Sequence, residues 1–365
     1  MRTHSSENER VKRAYLTYLK EARRLSEPSI DAAAAALSRF EVYTRYRDFK
    51  SFHTQQAVGF KRKLAEQVSA RTGEQLSKRT LFGTLNSLRA FFQWLAGQPG
   101  YRSRLTYADA DYFSLSEKET RIAKARVERP VPTLEQIHHV LQSMPADTDV
   151  QLRNRSLVAF TLLTGARDGA IASMKLKHVD VAEGKVVQDA REVHTKFSKT
   201  FTTTFFPVGD EVRQTVVDWV AFLANEKLFG PTDPLFPATR VVLGEGHCFQ
   251  VGGLSRSHWS NATPIRAVFK EAFERAGLPY ANPHSFRKTL AQLGERLCRT
   301  PEEFKAWSQN LGHEQVLTTF SSYGNLTIRR QTELIRCLGH RSEASSVDPI
   351  DQVMRLLEQA RHRPL

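Results

Sequence analysis

Seven side chains between Arg167 and Tyr323 of this 365-residue sequence have types and spacings that suit acid–base and nucleophilic chemistry. Thr164-Gly165-Ala166-Arg167 follows an apolar run from Leu157 to Leu163. Pro283-His284-Ser285-Phe286-Arg287 opens a predicted helix, and the spacing puts His284 and Arg287 on one face. Leu311-Gly312-His313 comes next, and Tyr323 follows ten residues later, after Thr318-Thr319. Lys196 and Lys199 lie between the first two groups. Arginine offers a rigid fork of donors to the oxygens of an anion, and histidine titrates near neutrality. A tyrosine hydroxyl, with a free pKa of about 10, attacks only once a base takes its proton. Each residue alone also fits an ordinary role as a packed ring or a solvated cation. Order and spacing together single the set out.

The partner of such a set is suggested by charge. The formal net charge is +14, and lysines and arginines placed against phosphates release counterions, which favours a nucleic acid. A membrane surface would call for a basic amphipathic helix beside a lipid anchor or polybasic tail, and the sequence has neither. Met1 to Arg10 is polar, without the apolar run of a signal peptide. No apolar stretch approaches the ~20 residues of a membrane span, so a cytoplasmic, nucleoid-associated protein is expected. Cys248, Cys298 and Cys337 are scattered, in neither zinc-site pairs nor a disulfide framework. No GxxxxGK[ST] loop, HExxH or clustered acids call for a nucleotide or a metal, so no cofactor is expected.

The elements that must position these residues read as mostly α with a small antiparallel sheet, an α+β organisation. Residues 1–100 form helices. Glu9 to Arg24 carries Val11, Tyr15, Tyr18 and Leu19 at helical spacing, and Ser29 can cap a second helix through Phe40 to Tyr43. Ser77 caps a third, with Leu81, Leu85, Leu88, Phe92 and Leu95 as one stripe and Gly97 as its stop. Clusters such as Arg45, Arg47, Lys50, Lys61, Arg62, Lys63, Lys78 and Arg79 suit a DNA backbone, and equally suit solvated helix faces.

Residues 101–132 lose the periodicity and close on Arg129-Pro130-Val131-Pro132, which reads as a linker. A second domain, 133–340, starts at Thr133. Lys185 to Thr195 and Thr200 to Val208 read as a β-hairpin turning at Phe197-Ser198-Lys199, and Gly230 to Ser257 reads as a loop. In the tail, 341–365, Ile350, Val353, Met354 and Leu357 make a short stripe that suits packing on its own domain or docking on a neighbouring subunit.

The set resembles the tyrosine recombinase (phage integrase) family, whose signature is TGxR, a hairpin Lys, HxxR, then LGHxxxxTTxxY. Arg167, Lys196, His284, Arg287, His313 and Tyr323 match in order, within a resemblance covering about Thr133 to Gly324. The helical segment 1–100 is similar, more loosely, to the family's SAM-like core-binding domain. The resemblance implies a core-binding domain and an integrase-type catalytic domain closing on double-stranded DNA. It also implies a 3′-phosphotyrosyl intermediate formed without metal or nucleotide, and a homotetramer that exchanges strands.

The roles then fall out of the chemistry. Arg167 and Arg287 donate to the non-bridging phosphate oxygens, with a further bond from His313. His284 takes the proton of Tyr323, and a hairpin lysine protonates the leaving 5′-oxygen. Three departures stand out. The family's acidic residue three positions after the first Arg is Ala170 here, with Asp168 one position after instead. His313 to Tyr323 is one residue longer than the commonest spacing. Lys196 fits the Thr-Lys turn best, whereas the distance from Lys199 to Pro207 is the more typical one. A type IB topoisomerase shares the chemistry, and a decayed recombinase acting as a DNA-binding regulator shares the fold. A metal-dependent nuclease fits least.

Overall fold

The computed structural model describes residues 4–69, 73–125, 131–244 and 248–313. Tyr323, Cys337 and the tail over 341–365 lie outside the described residues. The chain forms two compact units, Met1–Val127 and Glu128–Leu365, each with its own apolar core. Helices dominate both. No described helix is long and apolar enough to cross a membrane.

The first unit contains α1 (Ser6–Thr17), α2 (Glu27–Thr44), α3 (Thr54–Glu66), α4 (Lys78–Ala96), α5 (Tyr107–Asp111) and α6 (Glu117–Lys124). α1 buries Val11 and Tyr15, and a π turn over Tyr18–Ala22 carries Leu19 into the same core. α2 starts before Ser29: Ser26 is the N-cap and Pro28 sits in the first turn, where no intrahelical N–H is needed. α4 follows the pattern of its sequence. The Ser77 hydroxyl accepts from the Thr80 N–H, Leu81, Leu85, Leu88, Phe92 and Leu95 are buried, and Gly97 ends the helix.

The linker expected over 101–132 is shorter than that. α5 and α6 pack on α4, and Tyr101, Leu105, Ala110 and Phe113 belong to the first unit's core. The Phe113 ring stacks on Phe92 at 5.1 Å. Two short helices separated by turns leave no run long enough to show a 3.6-residue period, so the burial is invisible in the sequence.

The second unit is built around α8 (Asp149–Thr164), whose residues from Ser156 to Thr164 are all buried. A helix apolar on every side is a central one. Around it lie α7 (Leu134–Ser143), α9 (Asp168–Ile171), α10 (Asp210–Ala221), α11 (Thr263–Arg275), α12 (Pro283–Leu297) and α13 (Pro301–Asn310). Thr133 caps α7, its hydroxyl accepting from the Gln136 N–H.

An antiparallel sheet of order β1-β2-β3 uses β1 (Val179–Asp180), β2 (Lys185–Gln188) and β3 (Phe201–Thr204). Its strands are shorter than the sequence suggests, because residues 189–200 form a long connection with a 3₁₀ turn at Lys196–Ser198. The region from Gly230 to Ser257 is not only loop. It contains a hairpin of β4 (Thr239–Leu243) and β5 (Phe249–Leu254). Val241, Leu243, Phe249 and Val251 are all exposed, so the hairpin lacks the one-sided burial that marks a strand pattern.

Candidate active site

Arg167 is positioned by the abrupt end of α8. Gly165 takes the left-handed conformation, φ +61°, and its N–H still donates to the Thr161 carbonyl. The Thr164 hydroxyl donates to the Phe160 carbonyl and accepts from the Ala166 N–H, so the turn is held from both sides. Arg167 then becomes the N-cap of α9.

A side chain at Gly165 would meet Leu290 and Leu311 at 3.0 Å. Gly165→Ala therefore combines left-handed strain with crowding between α8, α12 and the turn before His313. We expect a loss of at least about 1 kcal/mol, read as a lower melting temperature in a thermal scan.

α12 places the next pair. Asn282 caps it by accepting from the Ser285 N–H, and Pro283 fixes its first turn. Arg287 points inward and is 5% exposed. Its guanidinium donates to the carbonyls of Gly165 and Leu311 and lies 3.0 Å from His313 Nε2. One side chain thus ties the TGxR turn, α12 and the Leu311-Gly312-His313 turn together. Its Nε–H is buried with no partner among the described residues. His284 sits three residues earlier and keeps a solvent-accessible edge.

His313 is set by two devices. Gly312 takes φ +69°, with the Phe201 ring so close that a Cβ would lie 2.7 Å from it. At the end of α13, Asn310 clamps the outer strand: its Oδ1 accepts from the Thr204 N–H and its Nδ2 donates to the Thr204 carbonyl. The Thr203 hydroxyl donates to the Asn310 carbonyl. The lysine-bearing connection and the His313 turn are therefore anchored to the same strand. Lys199 lines a cleft with Thr200, Phe201, Asn310, Gly312 and His313. Lys196 is close enough to act on His313 electrostatically. The structure brings both lysines to the histidine.

Among the described residues the electrostatics share one theme, buried groups held down by burial and by like charges. Burial holds the Arg287 guanidinium down to about 9, and Arg167 beside it adds to the effect. Burial also lowers Arg167. Crowding by protein atoms, then Arg287 and Arg167, hold His284 below the ordinary imidazole value, while Asp168 opposes them. His313 falls to about 4, through burial first and then Arg287, Arg167, His284 and Lys196. Because a guanidinium only donates, His313 Nε2 is the acceptor of their shared hydrogen bond, and the imidazole is neutral with its proton on Nδ1.

A stability prediction follows. The unfolded chain takes up a proton at His313 near pH 6.5 and the folded chain only near 4, so folding stability present at pH 7 falls as pH drops between those values. Thermal scans from pH 7 to 5 should show that fall, and His313→Gln should lessen it.

Sequence reasoning found Arg167, Lys196, His284, Arg287 and His313, and the structure gathers all five; Tyr323 lies outside the described residues. It named Asp168 but missed Arg266 and Asn310, which help hold them. Asn310 carries no motif, and the Asp168–Arg266 ion pair, at 2.8 Å, joins residues 98 apart in the chain. Among the residues that hold the site only Gly165 and Gly312 left a readable signal, a residue able to turn left-handed beside Arg167 and beside His313.

Comparison with known proteins agrees with this arrangement. Residues 116–330, more than half of the chain, match the phage integrase family. The chain belongs to that family. It is similar to the tyrosine recombinase XerC of Stutzerimonas stutzeri (strain A1501), 24% identical over 309 residues that cover 84% of this chain and 88% of the relative. XerC of Halalkalibacterium halodurans is 22% identical over 334 residues, 90% of this chain and 97% of the relative.

Among solved structures, a lambda integrase dimer bound to a COC′ core site aligns with a TM-score of 0.59 at 15% identity, covering 88% of this chain and 80% of the integrase. The Tn1549 transposon integrase in complex with transposon right end DNA aligns at 0.57 and 14% identity, covering 90% and 99%. These likenesses place the fold. As a family member with XerC relatives, the chain is a tyrosine-type site-specific recombinase.

Proposed function

We propose that this recombinase cleaves and rejoins double-stranded DNA through Tyr323, with the phosphate held by Arg167, Arg287 and His313. The observation that carries the reading is the gathering of phosphate donors at one place. Two guanidiniums and two imidazoles share one site, each held below its ordinary pKa, and Arg287 Nε has no partner among the described residues. A phosphodiester supplies negative charge, and the more highly charged pentacoordinate state gains more from the same donors.

In the forward step the Tyr323 oxygen bonds to phosphorus, its proton passes to His284, and the bond to the 5′-oxygen breaks. Lys196 gives that oxygen its proton. The 3′-phosphotyrosyl bond then stores the energy for rejoining when a 5′-hydroxyl of another strand attacks. Lys199 is the second reading for the proton donor, favoured by its place in the cleft with His313. The helical first unit, Met1–Val127, acts as the core-binding domain, 133–340 as the catalytic domain and 341–365 as the tail. The working assembly is a homotetramer on DNA, supported by the lambda integrase tetramer bound to a Holliday junction among the structural likenesses.

The test uses nicked duplexes drawn from the junctions flanking the gene, with chelator and no ATP. A covalent protein–DNA adduct on a denaturing gel is expected. Tight binding without adduct would favour a non-catalytic regulator. Adduct that needs a divalent metal would overturn the mechanism.

A further inference from the structure

We propose that the Asp168–Arg266 ion pair is a positioning device for strand cleavage, clamping the turn that aims Arg167 and keeping one negative charge beside His284. The inference rests on the phosphoryl-transfer reading above and concerns residues that the family signature does not contain.

The geometry begins with Arg167. It is the N-cap of α9, a helix of only four residues, and its guanidinium has no hydrogen-bond partner among the described residues. With no hydrogen bond to fix it among the described residues, the aim leans on the backbone of the turn. Asp168 is the next residue. Its Oδ1 accepts from the Gly169 N–H at 2.9 Å and its Oδ2 accepts from Arg266 Nε at 2.8 Å. One carboxylate thereby stiffens its own turn and fastens it to α11. The Asp168 carboxylate is about a quarter exposed and the Arg266 side chain more than half, so the pair is partly screened by solvent and its hold on the turn is geometric first.

The second observation is the charge pattern. His284 faces Arg287 and Lys288 from its own helix, Arg167 and Asp168 from the α9 turn, and His313 from the turn after α13. Asp168 is the acid among them. Among the described residues, Arg287, Arg167 and Lys288 oppose a proton on His284, and Asp168 favours it. A base that must accept a proton from tyrosine works best when its pKa is not pushed far below the working pH. The pair also reaches Tyr280, where Arg266 and Asp168 act in opposite senses. Ala170 faces inward and is 1% exposed, so no carboxylate at that position shares the task.

The two halves of the pair should act on His284 in opposite directions. Asp168→Asn keeps the shape and the acceptors but removes the charge. It makes His284 harder to protonate, so the acid limb of the cleavage pH profile moves to lower pH while the maximal rate falls about ten- to a hundred-fold. Arg266→Ala leaves the Asp168 charge without its cation, so the acid limb moves to higher pH. Arg266→Lys restores most of the rate and the limb.

The experiment measures adduct formation on the nicked duplex from pH 5 to 9 for the full-length wild type and these three variants. Opposite displacements with rescue by lysine support the proposal. Unchanged rates and profiles reduce the pair to a surface salt bridge and overturn it. Equal losses with an unmoved acid limb assign it a purely structural role and overturn it too. If the wild type forms no adduct, the failure belongs to the recombinase mechanism and not to this pair.

Discussion

Tyr323→Phe is expected to abolish the covalent protein–DNA adduct, with cleavage falling at least about a thousand-fold, while binding to the same duplex stays near the wild-type level. The rate loss is large because the hydroxyl is the atom that bonds to phosphorus, and deleting a nucleophile removes the covalent route entirely. Binding is spared because phosphate affinity comes from lysine and arginine contacts, and one neutral hydroxyl contributes little to them. The check is a denaturing gel for adduct beside a binding titration at fixed salt. Persistent adduct in Tyr323→Phe would show that another tyrosine attacks. Tyr280 is a described alternative, since it feels Asp168 and Arg266 at the edge of the site. Burial pushes its pKa up, against the direction a nucleophile requires. Tyr280→Phe is accordingly expected to keep the adduct.

The site was legible in the sequence as a set of residues, and its geometry was not. Spacing alone could place His284 and Arg287 on one helix face, and could mark Gly165 and Gly312 as turns beside Arg167 and His313. It could not show that Arg287 turns inward to two carbonyls, because the sequence does not record which backbone groups a helix end leaves unpaired.

Long, strongly periodic helices such as α4 were readable to the cap. Short ones were not, and the burial of Phe113 in a segment resembling a linker shows why. The pattern needs several turns before it rises above composition. The β4–β5 hairpin failed for the opposite reason. Val241, Phe249 and Val251 are apolar yet face solvent, so no alternation of burial accompanies their strands. Lys196 and Lys199 stay a pair in sequence and structure alike, since both approach His313 on a connection anchored to one strand.

Replacing the two arginines by lysine should separate holding the fold from holding the phosphate. Both variants keep a positive charge and lose the planar fork, so cleavage in each should fall roughly a hundred- to a thousand-fold. Stability should divide them. Arg287 serves the carbonyls of Gly165 and Leu311 from a buried position, and a single ammonium cannot reach both while also meeting His313 Nε2. A buried carbonyl left without a donor costs about 1–3 kcal/mol, so Arg287→Lys should melt at a clearly lower temperature than the wild type. Arg167 has no such partners among the described residues, so Arg167→Lys should melt with the wild type and lose only rate. Thermal scans beside single-turnover adduct formation read both quantities on the same preparations. Equal melting of the two variants would mean that Arg287 does not hold the turns together. Undiminished cleavage in Arg167→Lys would mean that a point charge suffices at that position. The forked recognition of the transition state would then rest on Arg287 alone, whose Nη groups already serve the fold before DNA arrives while Nε has no partner among the described residues.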